Sequence, residues 1–332
     1  MTEKNKKISA QSKNAGKTND TKKSLIKVIV MEDKGKWLKP EKQSTHFINE
    51  DAVLPDVTFE IETTEAGPYE WKWKIKWDAK VSGIKESTNR GKLLKTFEES
   101  GTIKNSDKSW KMNFSDKVLG GVLTVEVKAG NEEFKRSIFI KGKNPTKEKI
   151  KAYSDSLDGT KGFDKILMHE ALGKNFINAD GEPVVAFDGG YGITQMTNPA
   201  PSYEQCWNWK KNIEGGSDIY KKKRKAAKTH LDKHGNYTED QLQMETWSLY
   251  NGGYYHEWDT QNKTWVARNF VCDEKVPNIG WNQDNELNKN KTSKELRERD
   301  KDQFKLGKSG QSKNAHPWSY TGVCYAQHIE KK

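Results

Sequence analysis

Glu70-Trp71-Lys72-Trp73-Lys74-Ile75-Lys76-Trp77 alternates apolar and charged residues without a break. A β-strand sends successive side chains to opposite faces, so Trp71, Trp73, Ile75 and Trp77 share one face and three lysines the other. Tryptophans that close together need burial, and the lysines need water. The stretch therefore reads as an antiparallel strand with a core on one side only. Its composition also suits a stacking platform for sugars or bases, but a core face backed by a solvated face is the simpler reading. Outward from it, period-two runs recur at Leu25–Met31, Val57–Ile61, Trp110–Phe114, Val122–Val127 and Phe134–Ile140. Turn residues separate them at Glu65-Ala66-Gly67-Pro68, Asn105-Ser106-Asp107, Gly120-Gly121 and Gly130-Asn131.

Some six or seven strands in this space resemble an immunoglobulin-like β-sandwich, though one without a cysteine pair. Gly142-Lys143-Asn144-Pro145-Thr146 then breaks the pattern, and the apolar period moves towards 3.6. The expected organisation is multidomain: a disordered Lys/Asn/Ser/Thr-rich tail over 1–23, an all-β immunoglobulin-like sandwich over 24–144, and a mainly α domain over 145–332.

Composition bounds the rest. The 332 residues are 33% hydrophobic and 32% charged, and no apolar run reaches the roughly 18 residues of a membrane span. Twelve Trp, 11 Tyr and 11 Phe exclude a wholly disordered chain. The net charge of +11 fits a polyanion: nucleic acid, an anionic membrane surface or a bacterial cell wall. Lys221-Lys222-Lys223-Arg224-Lys225 would encircle a helix instead of lining one groove, so nucleic acid is not expected. Cys206, Cys272 and Cys324 show no CxxC spacing; one disulfide is compatible with an oxidising compartment, and three thiols with a reducing one. His169-Glu170 lacks the second histidine of a zincin helix, with Gly173 in its place. His230 and His234 stand four apart in a lysine-rich stretch without a carboxylate pattern, so neither a metal nor a cofactor is expected.

Chemistry concentrates after Lys161. Phe163, Ile166, Leu167 and Glu170 fall at i, i+3, i+4 and i+7 of a helix, with Gly173 available as its C-cap. A carboxyl group on an apolar stripe, at the negative end of a helix, favours its protonated form, as a general acid requires. Downstream come Gly190-Tyr191-Gly192-Ile193-Thr194-Gln195-Met196, then Asn212-Ile213-Glu214-Gly215-Gly216 opening onto a basic helix over 218–234. A capping box at Thr238-Glu239-Asp240-Gln241 begins a further helix that ends at Tyr250-Asn251-Gly252-Gly253.

Glu170 on a helix, then GYGITQM, NIEGG and YNGG in this order, resembles the lysozyme-like lytic transglycosylases and goose-type lysozymes, which cleave the glycan strands of peptidoglycan. The likeness covers roughly Lys161–Gly253 and implies a lysozyme-like domain. Carried over by position, Glu170 is the catalytic acid. Tyr191, Gly192 and Gln195 line the glycan cleft, and Tyr250 and Asn251 stand beside the glutamate. Two positions depart from the pattern: Ala171 stands where many transglycosylases have serine, and Thr197 where goose-type enzymes have aspartate. A second carboxylate would come from Asp180 or, by preference, Asp188; both also suit loop turns.

The expected activity is therefore cleavage of the β-1,4 bond between N-acetylmuramic acid and N-acetylglucosamine. Water positioned by Asp188 or Thr197 would make the protein a muramidase; attack by the sugar's own 6-hydroxyl would make it a lytic transglycosylase. No apolar run follows the basic N-terminus, so the chain is expected to be leaderless, made in the cytoplasm and acting at the wall or periplasm of a target bacterium. Such proteins resemble type VI secretion effectors, or a phage-type endolysin or tail lysin. The effector reading implies a cognate immunity protein and a secretion-machine component met by the N-terminal module. A non-catalytic cell-wall-binding protein is the remaining alternative. Beyond Glu257, Trp258, Trp265, Trp281 and Trp318 read as core completion more than as sugar platforms, and Asn285–Lys308 as a polar insertion.

Overall fold

In the computed structural model, which describes residues 31–82, 89–171, 176–186, 188–305 and 318–331, the Trp/Lys stretch lies within β4 (Tyr69–Lys80). Alternate side chains from Tyr69 to Ala79 are buried, while Lys72, Lys74 and Lys76 face solvent. Lys72 and Lys104 pair with Glu70, and Lys74 with Glu98, at 2.7, 3.3 and 2.8 Å. Solvent screens such pairs, so the tryptophan side holds the sheet.

β5 (Leu93–Asn105) runs antiparallel along the whole of β4, and β7 (Gly121–Ala129) lies on its other edge. β8 (Glu132–Gly142) follows β7 through Gly130-Asn131, and β2 (Thr45–Ile48) pairs parallel to β8, giving the order β2-β8-β7-β4-β5. A second sheet, β1 (Trp37–Lys39), β3 (Thr58–Ile61) and β6 (Ser109–Lys111), packs against the apolar face. Trp37 meets Trp71 edge-on at 6.3 Å, and Phe59 stacks on Trp110 at 5.7 Å. β5 carries no sequence signal because an edge strand need hide little: of its thirteen side chains only Phe97 is buried. The tail over 1–23 and all of the Leu25–Met31 run but Met31 lie outside the described residues.

Beyond Gly142 the chain forms α1 (Lys147–Asp155), capped by Thr146, then α2 (Phe163–Ala171), α3 (Tyr203–Trp207), α4 (Trp209–Leu231) and α5 (Glu239–Asn251). It then departs from expectation. A hairpin of β9 (His256–Asp259) and β10 (Thr264–Ala267) precedes a three-stranded sheet of β11 (Phe270–Cys272), β12 (Ile279–Asn282) and β13 (Trp318–Tyr320). α6 (Ser293–Lys305) and α7 (Gly322–Glu330) complete the described elements. An all-β immunoglobulin-like sandwich followed by a mainly α lysozyme-like domain is therefore not the architecture. With thirteen strands and seven helices among the described residues, the fold is mixed α/β. The late strands are three or four residues long, too short for period two to stand out against Asn- and Lys-rich surroundings. Trp265, Trp281 and Trp318 are buried on these strands.

The two halves share a core. Tyr191, Tyr203 and Trp207 belong to the apolar cluster of the five-stranded sheet, where Trp77 meets Trp207 edge-on at 5.5 Å and Phe97 stacks on Tyr203 at 5.4 Å. The Tyr203 hydroxyl donates to the Gly120 carbonyl at 2.6 Å, and a Cβ on Gly120 would stand 2.2 Å from the Trp207 ring. The Gly142–Thr146 junction is itself fastened: Asn144 donates to the Ile177 carbonyl and accepts from its N–H, both at 2.8 Å. Cys272 and Cys324 form a disulfide that ties α7 to β11, with Cα atoms 5.3 Å apart.

Candidate functional site

α2 begins where Gly162, at φ +79°, turns the chain, its carbonyl accepting from the Trp247 indole at 2.9 Å. Phe163, Ile166 and Leu167 are then wholly buried on one face. Burying each side chain of this size stabilises the fold by about 1.5–3 kcal/mol, which fixes the helix rotationally. That fixed face places the Glu170 backbone in the last turn of α2; its side chain, like the proposed cap Gly173, lies outside the described atoms. The neighbouring His169 ring meets Tyr325 of α7 edge-on at 5.1 Å.

The GYGITQM segment forms a tight hairpin-like turn in which Tyr191 bridges to both Val185 and Met196. Its two faces look into different cores. On one, the Tyr191 ring lies edge-on to Trp77 and Phe97 of the sheet at 6.4 and 6.1 Å, and burial pushes its hydroxyl up to about 12. On the other, Ile193 joins the apolar cluster of Phe163, Ile166 and Leu167. The segment before it is sewn to the sheet: Ser82 N–H donates to the Val185 carbonyl at 2.9 Å, and Glu182 accepts from the Trp77 indole at 3.2 Å and from Lys141 at 2.7 Å.

Asn212, at the start of NIEGG, holds the turn from below. Completely buried, it donates to the Tyr191 and Gln205 carbonyls, both at 3.2 Å, and accepts from the Thr194 N–H and hydroxyl, both at 3.1 Å. Gly192 has φ +67°, and a Cβ there would lie 2.6 Å from the Asn212 amide nitrogen. Gly215 and Gly216 let α4 approach: Cβ atoms on them would come within 2.6 Å of Gln205 and 2.5 Å of Thr194. Glycine inside a helix costs about 1 kcal/mol relative to alanine, so this glycine pair answers a packing demand. Glu214 between them and Asn212 accepts from Lys211 at 2.8 Å and from Tyr153 at 2.5 Å; burial opposes its charge, yet the two donors hold its carboxyl below the usual range.

Tyr250, from YNGG, closes the arrangement. Its ring lies 6.4 Å from both Phe163 and Tyr220, and its hydroxyl reaches the Thr194 carbonyl at 3.5 Å. The structure thus brings together α2, the 190–196 turn, the start of α4 and the end of α5. Asn251 is exposed at the last position of α5. Gln195, at φ +50°, donates to the Gly192 carbonyl at 2.7 Å and so braces its own turn. Asp188 accepts from the Gly190 N–H at 3.1 Å and Asp180 from the Glu182 N–H at 3.0 Å; both hold turns. The Thr197 hydroxyl donates to the Gln195 carbonyl at 3.1 Å. Asp188 and Thr197 lie with Tyr191 on the sheet side of the turn, while Tyr250 lies on the helix side.

Asn212 and Thr194 were not singled out by sequence, although the motif containing each was; spacing reveals a segment, whereas a buried amide network is visible only in three dimensions. Glu245 also escaped notice. Wholly buried on α5, its carboxylate accepts from Tyr255 N–H, His256 N–H and His256 Nδ1 at 3.1, 2.9 and 2.8 Å, fastening the chain that leaves YNGG. His230 stacks on Tyr254 at 4.0 Å and His234 on Trp258 at 4.4 Å, and both also meet the Trp265 ring, at 4.9 and 5.5 Å, so the two imidazoles are packed among aromatic rings. No group of three potential metal ligands occurs among the described residues. Comparisons with protein-family models, with curated proteins and with solved structures found no match to this chain.

Proposed function

We propose that this protein cleaves the β-1,4 bond between N-acetylmuramic acid and N-acetylglucosamine in peptidoglycan, with Glu170 as the acid. What carries the reading is the meeting of four segments distant in sequence. The helix bearing Glu170, the GYGITQM turn, the NIEGG helix start and Tyr250 of YNGG pack on one another around Phe163 and Thr194.

In the proposed reaction Glu170 gives its proton to the glycosidic oxygen as the bond to C1 of the muramic ring breaks, and positive charge spreads over C1 and the ring oxygen. We favour the 1,6-anhydro outcome. Asp188 and Thr197 lie on the sheet side of the turn, whereas Ile193 on its other side packs against α2, so neither carries a water towards the Glu170 helix. The muramic 6-hydroxyl then attacks C1 and returns its proton to the Glu170 carboxylate, leaving the catalyst unchanged. The Cys272–Cys324 disulfide supports action in an oxidising compartment, as the periplasm or cell wall of a target bacterium would be. The effector assignment, with its immunity protein and secretion-machine contact, is proposed with the activity and stands or falls separately from it.

The test is to incubate purified peptidoglycan with the wild type and with Glu170→Gln and to identify the soluble muropeptides by mass. Anhydro-muramyl products from the wild type and none from Glu170→Gln are expected. Reducing ends would replace the intramolecular step by hydrolysis. Unimpaired release by Glu170→Gln would remove the catalytic assignment, and no release by the wild type would leave wall binding without cleavage.

A further inference from the structure

α7 is nine residues long, too short to be stable as a helix alone, so its packing partners decide whether it forms. One side of it backs the candidate site. Val323, Tyr325, Ala326 and Ile329 are buried in the same apolar cluster as Phe163, Ile166 and Leu167 of α2. Tyr325 is the residue that meets His169, one position before Glu170. At the start of α7, the Gly322 N–H donates to the Gly252 carbonyl of YNGG at 3.0 Å. A Cβ on Gly322 would collide with the carbonyl oxygens of Ser248 and Gly252, so the approach is as close as backbone allows. One short helix thus supports the end of α2 and the end of α5 together.

The other side of α7 is fastened to the sheet of β11, β12 and β13. Cys324 is bonded to Cys272 of β11, and a Cβ on Gly280 of β12 would collide with the Cys324 sulfur. His328 donates to the Asp273 carbonyl at 2.8 Å, and the Thr321 N–H to the Asn278 carbonyl at 2.9 Å. Cys206 is remote from this pair, buried in the apolar cluster of the five-stranded sheet. Of the ties on α7 the disulfide alone depends on the redox state of the surroundings. Hydrogen bonds and apolar contacts form in any compartment, whereas a disulfide persists only in an oxidising one.

We propose that the Cys272–Cys324 bond is a redox lock on the candidate site. Reduced, α7 detaches readily and leaves the ends of α2 and α5 without backing; oxidised, it holds both in place. The step that closes the lock is exchange with a low-molecular-weight disulfide. The thiolate of Cys272, the half-buried partner, attacks one sulfur of that disulfide and expels a first thiol. The thiolate of Cys324, wholly buried, then attacks the Cys272 sulfur of the mixed disulfide and expels a second. Two protein thiols are oxidised, one external disulfide is reduced, and the two protons pass to the departing thiolates. The lock is argued from packing alone. Its use rests on the peptidoglycan reading, which places the substrate outside the reducing cytoplasm: the site is loose where the chain is made and firm where the wall lies.

Hydrogen exchange and muropeptide release test the lock on three full-length preparations: the oxidised chain, the same chain reduced with dithiothreitol, and Cys272→Ser/Cys324→Ser. Both preparations lacking the bond are expected to exchange roughly tenfold faster or more in α7, the last turn of α2 and the end of α5, with β4, β7 and β8 unchanged. Release is expected to fall by a similar factor. Oxidised glutathione is expected to restore both readouts in the reduced wild type and neither in the double variant. Unchanged exchange in α2 and α5 on reduction overturns the lock. Faster exchange throughout β4, β7 and β8 also overturns it, since that marks general destabilisation. So does measurable release that is equal in the oxidised and reduced chains. The expected exchange response from a chain that releases nothing in any form removes only the cleavage and leaves the lock standing.

Discussion

Gly192 meets two demands at once, a left-handed backbone at φ +67° and a 2.6 Å approach to the Asn212 amide. Alanine would pay about 1–2 kcal/mol for the conformation alone and would also displace the amide that holds Thr194 and Tyr191. Gly192→Ala is therefore expected to lower unfolding stability by roughly 2–4 kcal/mol, read from chemical denaturation. The proposed muropeptide release should fall with it, because the turn loses its register. Cys206 supplies a contrasting case. It is wholly buried, and burial pushes its thiol well above the ordinary range, so it is not a reactive group. A thiol reagent should leave the native protein unlabelled and, in denaturant without reductant, modify one cysteine per chain, the other two being joined.

At the scale of elements, α4 offers a change whose sign separates two explanations. If Gly216 were merely a weak residue in a helix, Gly216→Ala would stabilise the protein by about 1 kcal/mol. Because its Cβ would come within 2.5 Å of buried Thr194, the substitution is expected to destabilise instead, and the thermal midpoint decides. What the sequence discloses follows the same division. β4 is legible because one face is core and the other water, and α5 because Thr238 and Gln241 form a capping box at its start. α4 is legible only from its basic part; its true start at Trp209 is set by the Asn208 cap, eleven residues before Tyr220 reaches Phe163. β5, β9, β10 and β13 hide because each buries a single side chain, and β11 and β12 because three or four residues are too few to make a period. The motif residues of the site were visible as a series, yet which of them brace their own turns was not. Gln195 and Asp188 prove occupied with their own turns, while Lys95 and Phe97, on a strand without motif, stand beside Tyr191.

Across the whole molecule, the shared core makes the second half dependent on the first. Expressed alone, residues 145–332 would leave Tyr191, Tyr203 and Trp207 without Trp77 and Phe97, and no cooperative thermal transition is expected from that fragment. Two tyrosines, Tyr191 buried and Tyr153 half-buried, also set an alkaline limit. Burial pushes Tyr191 up to about 12, and burial followed by the Glu214 carboxylate does the same for Tyr153. Folding thus favours the neutral phenols. Their contribution is complete below the unfolded value near 10 and drains away as pH rises towards 12. Thermal midpoints measured from about pH 9 upward should fall through that interval in step with tyrosinate absorbance. The disulfide carries a topological consequence as well. Cys272 and Cys324 are 52 residues apart, so α6 and residues 306–317 lie within a covalent ring. A protease that cuts the backbone once inside that ring opens it without releasing anything. The nicked chain would keep its last helix and migrate as one species until a reductant splits it in two.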